Sequence, residues 1–381
     1  MTYNANLIKG NRIVFLDNLR TLMIFLVILV HAGFVYNGML YPVWIVNDFS
    51  PNYLSFILFL IIDIFMMPAL FFISGYFAPL SFETNKGLKF FKSKFKRLYV
   101  PWILAVFTLI PLYRVIFLYS RNLPQADLIT YFHFNKGFVS QNWLWFLPVL
   151  FLFNGLYFLI SVIEKGKSEI PLKGAALIIF IIGLGYTLAM NIMGAEGWTL
   201  TPVLDFQNER LLIYFMIFLA GALCYRKKVF EINPGKKRLY FIVSSVIWIP
   251  VVVYILFKQN SLIHQGKYII SPIADGAIMS FSYNLSLPGL LYVLINTFRY
   301  YLNRETGFVN VLNKNSYGVY IIHMIVMGGL ALTMLHIKIP SLVKYGILTV
   351  TTFAVSNLVI YIYRKIRQTI KVRVLYQPGN R

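Results

Sequence analysis

Ten stretches of the chain are apolar over roughly the length that crosses a bilayer, and no other feature constrains its folding as strongly. They cover 13–36, 53–77, 98–119, 143–163, 172–190, 211–225, 239–257, 273–298, 311–335 and 342–366. A helical span needs about 20 apolar residues. In hydrocarbon every backbone N–H and C=O must be bonded within the protein, so such runs fold as helices. The expected fold is all-α: a polytopic transmembrane helix bundle of about ten spans. Composition agrees, with 59% of the 381 residues hydrophobic and 13% charged. Soluble proteins have roughly 45–50% and about 25%, and disorder needs low hydrophobicity. Ten spans with short loops use up the length, so 1–381 is expected to be a single transmembrane domain. The sixth run is short, and the eighth holds Asp275, Asn284 and Pro288; these two depart most from the pattern. The first run is too long for the apolar core of a signal peptide and carries three ionisable residues.

The 35 Lys and Arg outnumber the 13 Asp and Glu, a formal charge of +22. In a polytopic chain this excess speaks to orientation, and no nucleic-acid partner is expected. When loops are assigned alternately to the two sides, 26 basic residues fall on one side and 8 on the other, with Arg20 inside the first span. Basic loops stay cytoplasmic. The bias predicts an even number of spans with both termini cytoplasmic: an N-terminal segment 1–12 and a basic tail 367–381. The basic face also attracts anionic lipid of the bilayer. Cys224 stands alone, which excludes an intrachain disulfide and a cysteine metal site. No His or acidic spacing resembles a zinc site, so no metal is expected. No internal repeat marks a transporter built from two related halves.

Ionisable residues inside spans are costly and are functional candidates. In the first span Arg20 and His31 are eleven residues apart. That is about three helical turns, so both face one side, roughly 16 Å apart along the axis. Asp17 stands three residues before Arg20 and can pair with it. Arg20 can equally snorkel to the cytoplasmic surface, and His31 can be a structural polar residue. Asp63 is the acidic residue deepest in an apolar run. A carboxylate beside an imidazole fixes its tautomer, so Asp63 is a candidate partner of His31, or else of an unrelated polar group. In the ninth run Ser316, Tyr320 and His323 share a helical face; His323 is a second candidate, or a core histidine. Lys94 and Arg97, one turn apart in a basic loop, either anchor the loop inside or hold the phosphates of a cytoplasmic ligand. His133 and His264 fall in outer loops, and His336 at a span end.

Four segments in order resemble the acyltransferase 3 family of integral-membrane O-acyltransferases, closest to its glucan-modifying branch. They are Leu16-Asp17-Asn18 with Arg20 and His31; Phe71-Phe72-Ile73-Ser74-Gly75-Tyr76-Phe77; Trp143-Leu144-Trp145-Phe146-Leu147-Pro148-Val149-Leu150; and Asn315 to His323. Two positions depart from the family pattern. Lys94-Phe95-Lys96-Arg97 replaces an Arg-x-x-Arg motif, keeping the charge and losing one bidentate fork, and Asn142 stands where the glucan branch often has His. The resemblance implies acyl transfer, acetyl or succinyl, from cytoplasmic acyl-CoA as co-substrate to a hydroxyl of an extracytoplasmic glycan, in the bacterial cytoplasmic membrane. It implies no bound cofactor. His31 would act as general base or transient acyl carrier, oriented by Asp63 or His323. Arg20, Lys94 and Arg97 would hold the CoA phosphates, and Ser316 and Tyr320 would support the oxyanion or the sugar. No attached esterase-like domain is expected, and with none the protein would act alone or pass acyl groups to a separate partner. The competing reading is a transporter or flippase of a saccharide or lipid-linked saccharide, without covalent chemistry.

Overall fold

The structure, a computed structural model, describes residues 13–37, 43–48, 50, 52–127, 130, 141–163, 171–232 and 237–375. The expected N-terminal segment 1–12, the tail end 376–381 and His133 lie outside the described residues. Among the described residues nine helical segments are long and apolar enough to span a membrane. The sixth run forms a shorter apolar helix, α9 (Leu211–Arg226, 16 residues). At 1.5 Å per residue it reaches about 24 Å, short of the hydrocarbon thickness of about 30 Å. The eighth run, despite Pro288, is one helix, α12 (Pro272–Tyr301). Strand is confined to a hairpin of β1 (Trp198–Thr199) and β2 (Phe206–Gln207) among the described residues. The chain is all-α and polytopic, as the apolar runs require.

The described residues fall into two compact units. The first takes in 13–19, Ile57–Pro111 and the described part of Ala126–Asn303. Here the second apolar run is two helices, α2 (Tyr53–Ile62) and α3 (Met66–Tyr76), with Asp63 opening the break. Pro68 has no N–H to give the carbonyl four residues back, and its ring crowds that carbonyl. Helix α3 packs on α9 with no side chain between their backbones. A Cβ on Gly221 would lie 2.8 Å from the Tyr76 nitrogen, and one on Gly75 2.9 Å from the Phe218 Cα. Small residues let helices approach this closely in a membrane.

Around that contact Phe71 stacks with Tyr214 at 5.1 Å and meets Phe146 at 4.8 Å, so two of the recognised segments form one aromatic core. Between α8 (Leu172–Ile192) and α12, Asn284 donates to Thr187 at 2.9 Å. Asp275 accepts the N–H groups of Ile269 and Ile270 at 2.7 and 3.0 Å and closes the turn before α12. Asp205 ties the hairpin to Gln141 by a 2.7 Å bond. Burial pushes its carboxyl up, against the pull of the Thr201 and Gln141 N–H groups.

The second unit takes in the described part of Arg20–Phe56, Leu112–Gln125 and 304–375. Its main helices are the larger part of α1 (Val14–Val35), α13 (Gly307–Met334) and α14 (Ser341–Leu375). Helix α14 outruns its apolar stretch and carries the first part of the expected basic tail in helical form. Asn315 links α13 to α14, donating to the Asn357 carbonyl at 3.2 Å and accepting from Arg364 at 2.8 Å. Residues 43–48 are pinned at the end of α6 (Val100–Ser120): Tyr113 donates to the Val43 carbonyl and Arg121 to that of Trp44. At the end of this strap Asp48 forms a buried ion pair with Lys344, 2.7 Å long.

Candidate active site

Helix α1 is unbroken, so it holds Arg20 and His31 on one face as their spacing requires. Both are half-buried and both belong to the second unit. His31 meets His323 of α13, its Nδ1 2.9 Å from the Nε2 of His323. The ring planes are within 7° of parallel, which suits an in-plane N–H···N bond. Trp44 lies 5.4 Å from the His31 ring and Phe34 6.3 Å, and the pinned strap fixes the indole there.

The protons follow from the partners. His323 Nδ1 lies 2.6 Å from the Tyr320 carbonyl, one turn back. A carbonyl only accepts, so Nδ1 carries hydrogen. In a neutral imidazole the other nitrogen is then an acceptor. His323 Nε2 accepts the Nδ1–H of His31, which leaves the lone pair of His31 on its Nε2. A base held in one tautomer by a second group, itself fixed by a third, is the arrangement of activated nucleophile systems. Exposure separates the two: His323 is fully buried, at 0%, whereas half-buried His31 can touch a ligand.

The other expected site residues are placed as follows. Asp63, read as a candidate orienting group for His31, instead binds Arg210: its Oδ2 is 2.7 Å from Nη1. The same guanidinium donates to the Asp63 carbonyl at 3.2 Å and to Tyr254 at 3.2 Å. A broken helix in the apolar layer must have its freed backbone groups satisfied by a neighbour, and Arg210 satisfies carboxylate and carbonyl together. Arg210 just precedes the sixth apolar run and its position alone gives no sign of this role; the sequence signal is Asp63 itself, a carboxylate in an apolar run that needs a cation.

Ser316 donates to the Asn313 carbonyl at 3.0 Å and is buried, which occupies the hydroxyl expected to face substrate. Tyr320 is buried too, and its backbone carbonyl is what reaches the histidine pair. Asp17 is buried in the first unit. Lys94, half-buried 5.2 Å from the Phe90 ring centre, ends α5 (Leu88–Lys94). Exposed Arg97 follows in a π-helical turn, Phe95–Tyr99. Pro101, lacking an N–H, breaks the regular ladder there, and such turns recur at functional sites.

No curated protein and no solved structure matches the chain. Residues 13–361 match the model of the acyltransferase domain, a stretch that contains both histidines and all four recognised segments. The chain therefore belongs to the acyltransferase 3 family and is a multi-pass membrane acyltransferase.

Proposed function

We propose that the protein transfers an acetyl or succinyl group from cytoplasmic acyl-CoA to a hydroxyl of an extracytoplasmic glycan, in the bacterial cytoplasmic membrane. The observation that carries the reading is the His31–His323–Tyr320 carbonyl chain, which leaves an imidazole lone pair on an accessible side chain. In the proposed reaction His31 Nε2 takes the proton of the glycan hydroxyl. The oxygen attacks the thioester carbonyl, the C–S bond breaks on collapse, and the imidazolium returns its proton to the CoA thiolate. Arg20, three turns from His31 on the same helix, would contact the CoA phosphates, with the pantetheine arm running along α1. Lys94 and Arg97 are the phosphate candidates of the first unit.

His31→Ala tests the reading. Glycan acylation, followed by mass spectrometry of cell-envelope glycans, should fall about 10²–10⁴-fold, the usual contribution of a general base, with membrane abundance unchanged. A saccharide flippase would keep transport in His31→Gln; acylation retained in His31→Ala would move the chemistry away from this pair.

A further inference from the structure

Within the first unit an open cavity of about 370 Å³ lies between the end of α8 and the turn joining α11 (Trp248–Ile263) to α12. That is the size range of small-ligand sites, about 300–1,000 Å³. Its wall carries Asn191, Asn260 and Gln265, amides that offer both donors and acceptors, together with the carboxylate of Glu196 and the rings of Phe257 and Tyr268. Part of the wall is already set. Asn191 donates to Glu196 at 3.2 Å, and Asn260 donates to the Lys267 carbonyl at 2.9 Å while its Oδ1 sits 3.2 Å from His264 Nδ1. Fixing these groups beforehand reduces the ordering cost of binding.

A smaller cavity shares Glu196 and Met279 with it and adds Tyr254 and Tyr283, whose rings are 5.4 Å apart. The two make one groove. Its lining charges balance: Arg210, Lys258 and Lys267 are matched by Glu196, Glu209 and Asp275, the last taken up by backbone N–H groups. An anionic nucleotide or phosphate gains little there. Amides, a carboxylate and aromatic faces without excess charge match the hydroxyls and C–H faces of a sugar ring.

We infer that this groove binds a neutral saccharide of the acceptor glycan's class; the inference rests on the glycan-acylating reading above. Neutral glucose oligosaccharides, free and lipid-linked, are the probes. They are presented to the full-length His31→Ala protein in nanodiscs, so that binding is read without turnover, by saturation-transfer NMR. Gln265→Ala combined with Tyr268→Ala changes two exposed side chains and spares the bonds that shape the turn. Saccharide affinity should fall about tenfold or more, a loss of about 1.4 kcal/mol, with acyl-CoA binding unchanged. In the active protein the glycan KM should rise by a like factor and the acyl-CoA KM should not move. The probe that competes at lower concentration identifies the free or the lipid-linked source. Undiminished affinity in the double variant overturns the site, as does absence of any saturation transfer while His31-dependent glycan acylation proceeds. Saccharide binding that is lost in the double variant, in a protein without acylating activity, would leave the site standing and remove the transferase reading.

Discussion

His31 and His323 form a pair in which only one member can meet a ligand. If His323 acts by holding the tautomer of His31, its replacement should behave unlike that of a base. His323→Gln keeps an acceptor oxygen for the Nδ1–H of His31; His323→Ala keeps none. Acylation should therefore fall about tenfold in His323→Ala, the worth of roughly one hydrogen bond of about 1.4 kcal/mol, and recover partly in His323→Gln. Both variants should lower kcat rather than raise KM, and the Ala variant should shift the pH profile. Equal loss in the two would show a packing role. Arg20 makes a second test at this scale. Acyl-CoA binding to the detergent-purified protein should weaken about ten- to a hundredfold in Arg20→Ala, as expected for a charge-assisted bond of about 1.5–3 kcal/mol. Arg20→Lys should restore it in part, since lysine keeps the charge without the planar fork. Native affinity in both variants would leave Lys94 and Arg97 as the phosphate contacts.

Helices α3 and α9 are joined by glycine on both sides, and the contact is backbone to backbone. Gly221→Ala places a methyl group 2.8 Å from the Tyr76 nitrogen, where no flexible side chain can yield. Thermal unfolding in detergent should show a loss of about 1–3 kcal/mol, the usual cost of overpacking. Gly185, on α8, has nothing within 4 Å of a built Cβ. Gly185→Ala should hold or gain stability by about 0.5–1 kcal/mol, through helix propensity alone. Like effects at the two sites would remove the packing argument. The same element explains why Ser74-Gly75 stands in a recognised segment: the glycine is the approach surface, and Phe71 four residues earlier anchors the aromatic core.

The orientation of the whole chain rests on its basic residues. Two of the eight placed on the outer side, Arg210 and Lys344, are buried against Asp63 and Asp48. Both answer to a carboxylate partner, so the residues that report on orientation are biased more strongly than the raw count. A reporter fused after Arg381 should be active in the cytoplasm only; external activity would mean an odd number of spans. At this scale the all-α class and nearly every span were legible in the sequence, because an apolar run in lipid has one way to satisfy its backbone. The break at Asp63 was missed because hydropathy averages over the single proline that causes it.

What the sequence alone determined is what depends on neighbours along the chain: where helices run, and that Arg20 and His31 share a face three turns apart, since helical periodicity is local. Partnership is not local. His31 finds His323 across 292 residues, and Asp63 finds Arg210 across 147. Either histidine or carboxylate satisfies the rule that an ionisable group in a span needs a partner, so the sequence left Asp63 and His323 as equal candidates for His31. Only the tertiary structure decided between them, because a side-chain hydrogen bond requires its atoms within about 3 Å, and that distance is set by how helices far apart in sequence pack.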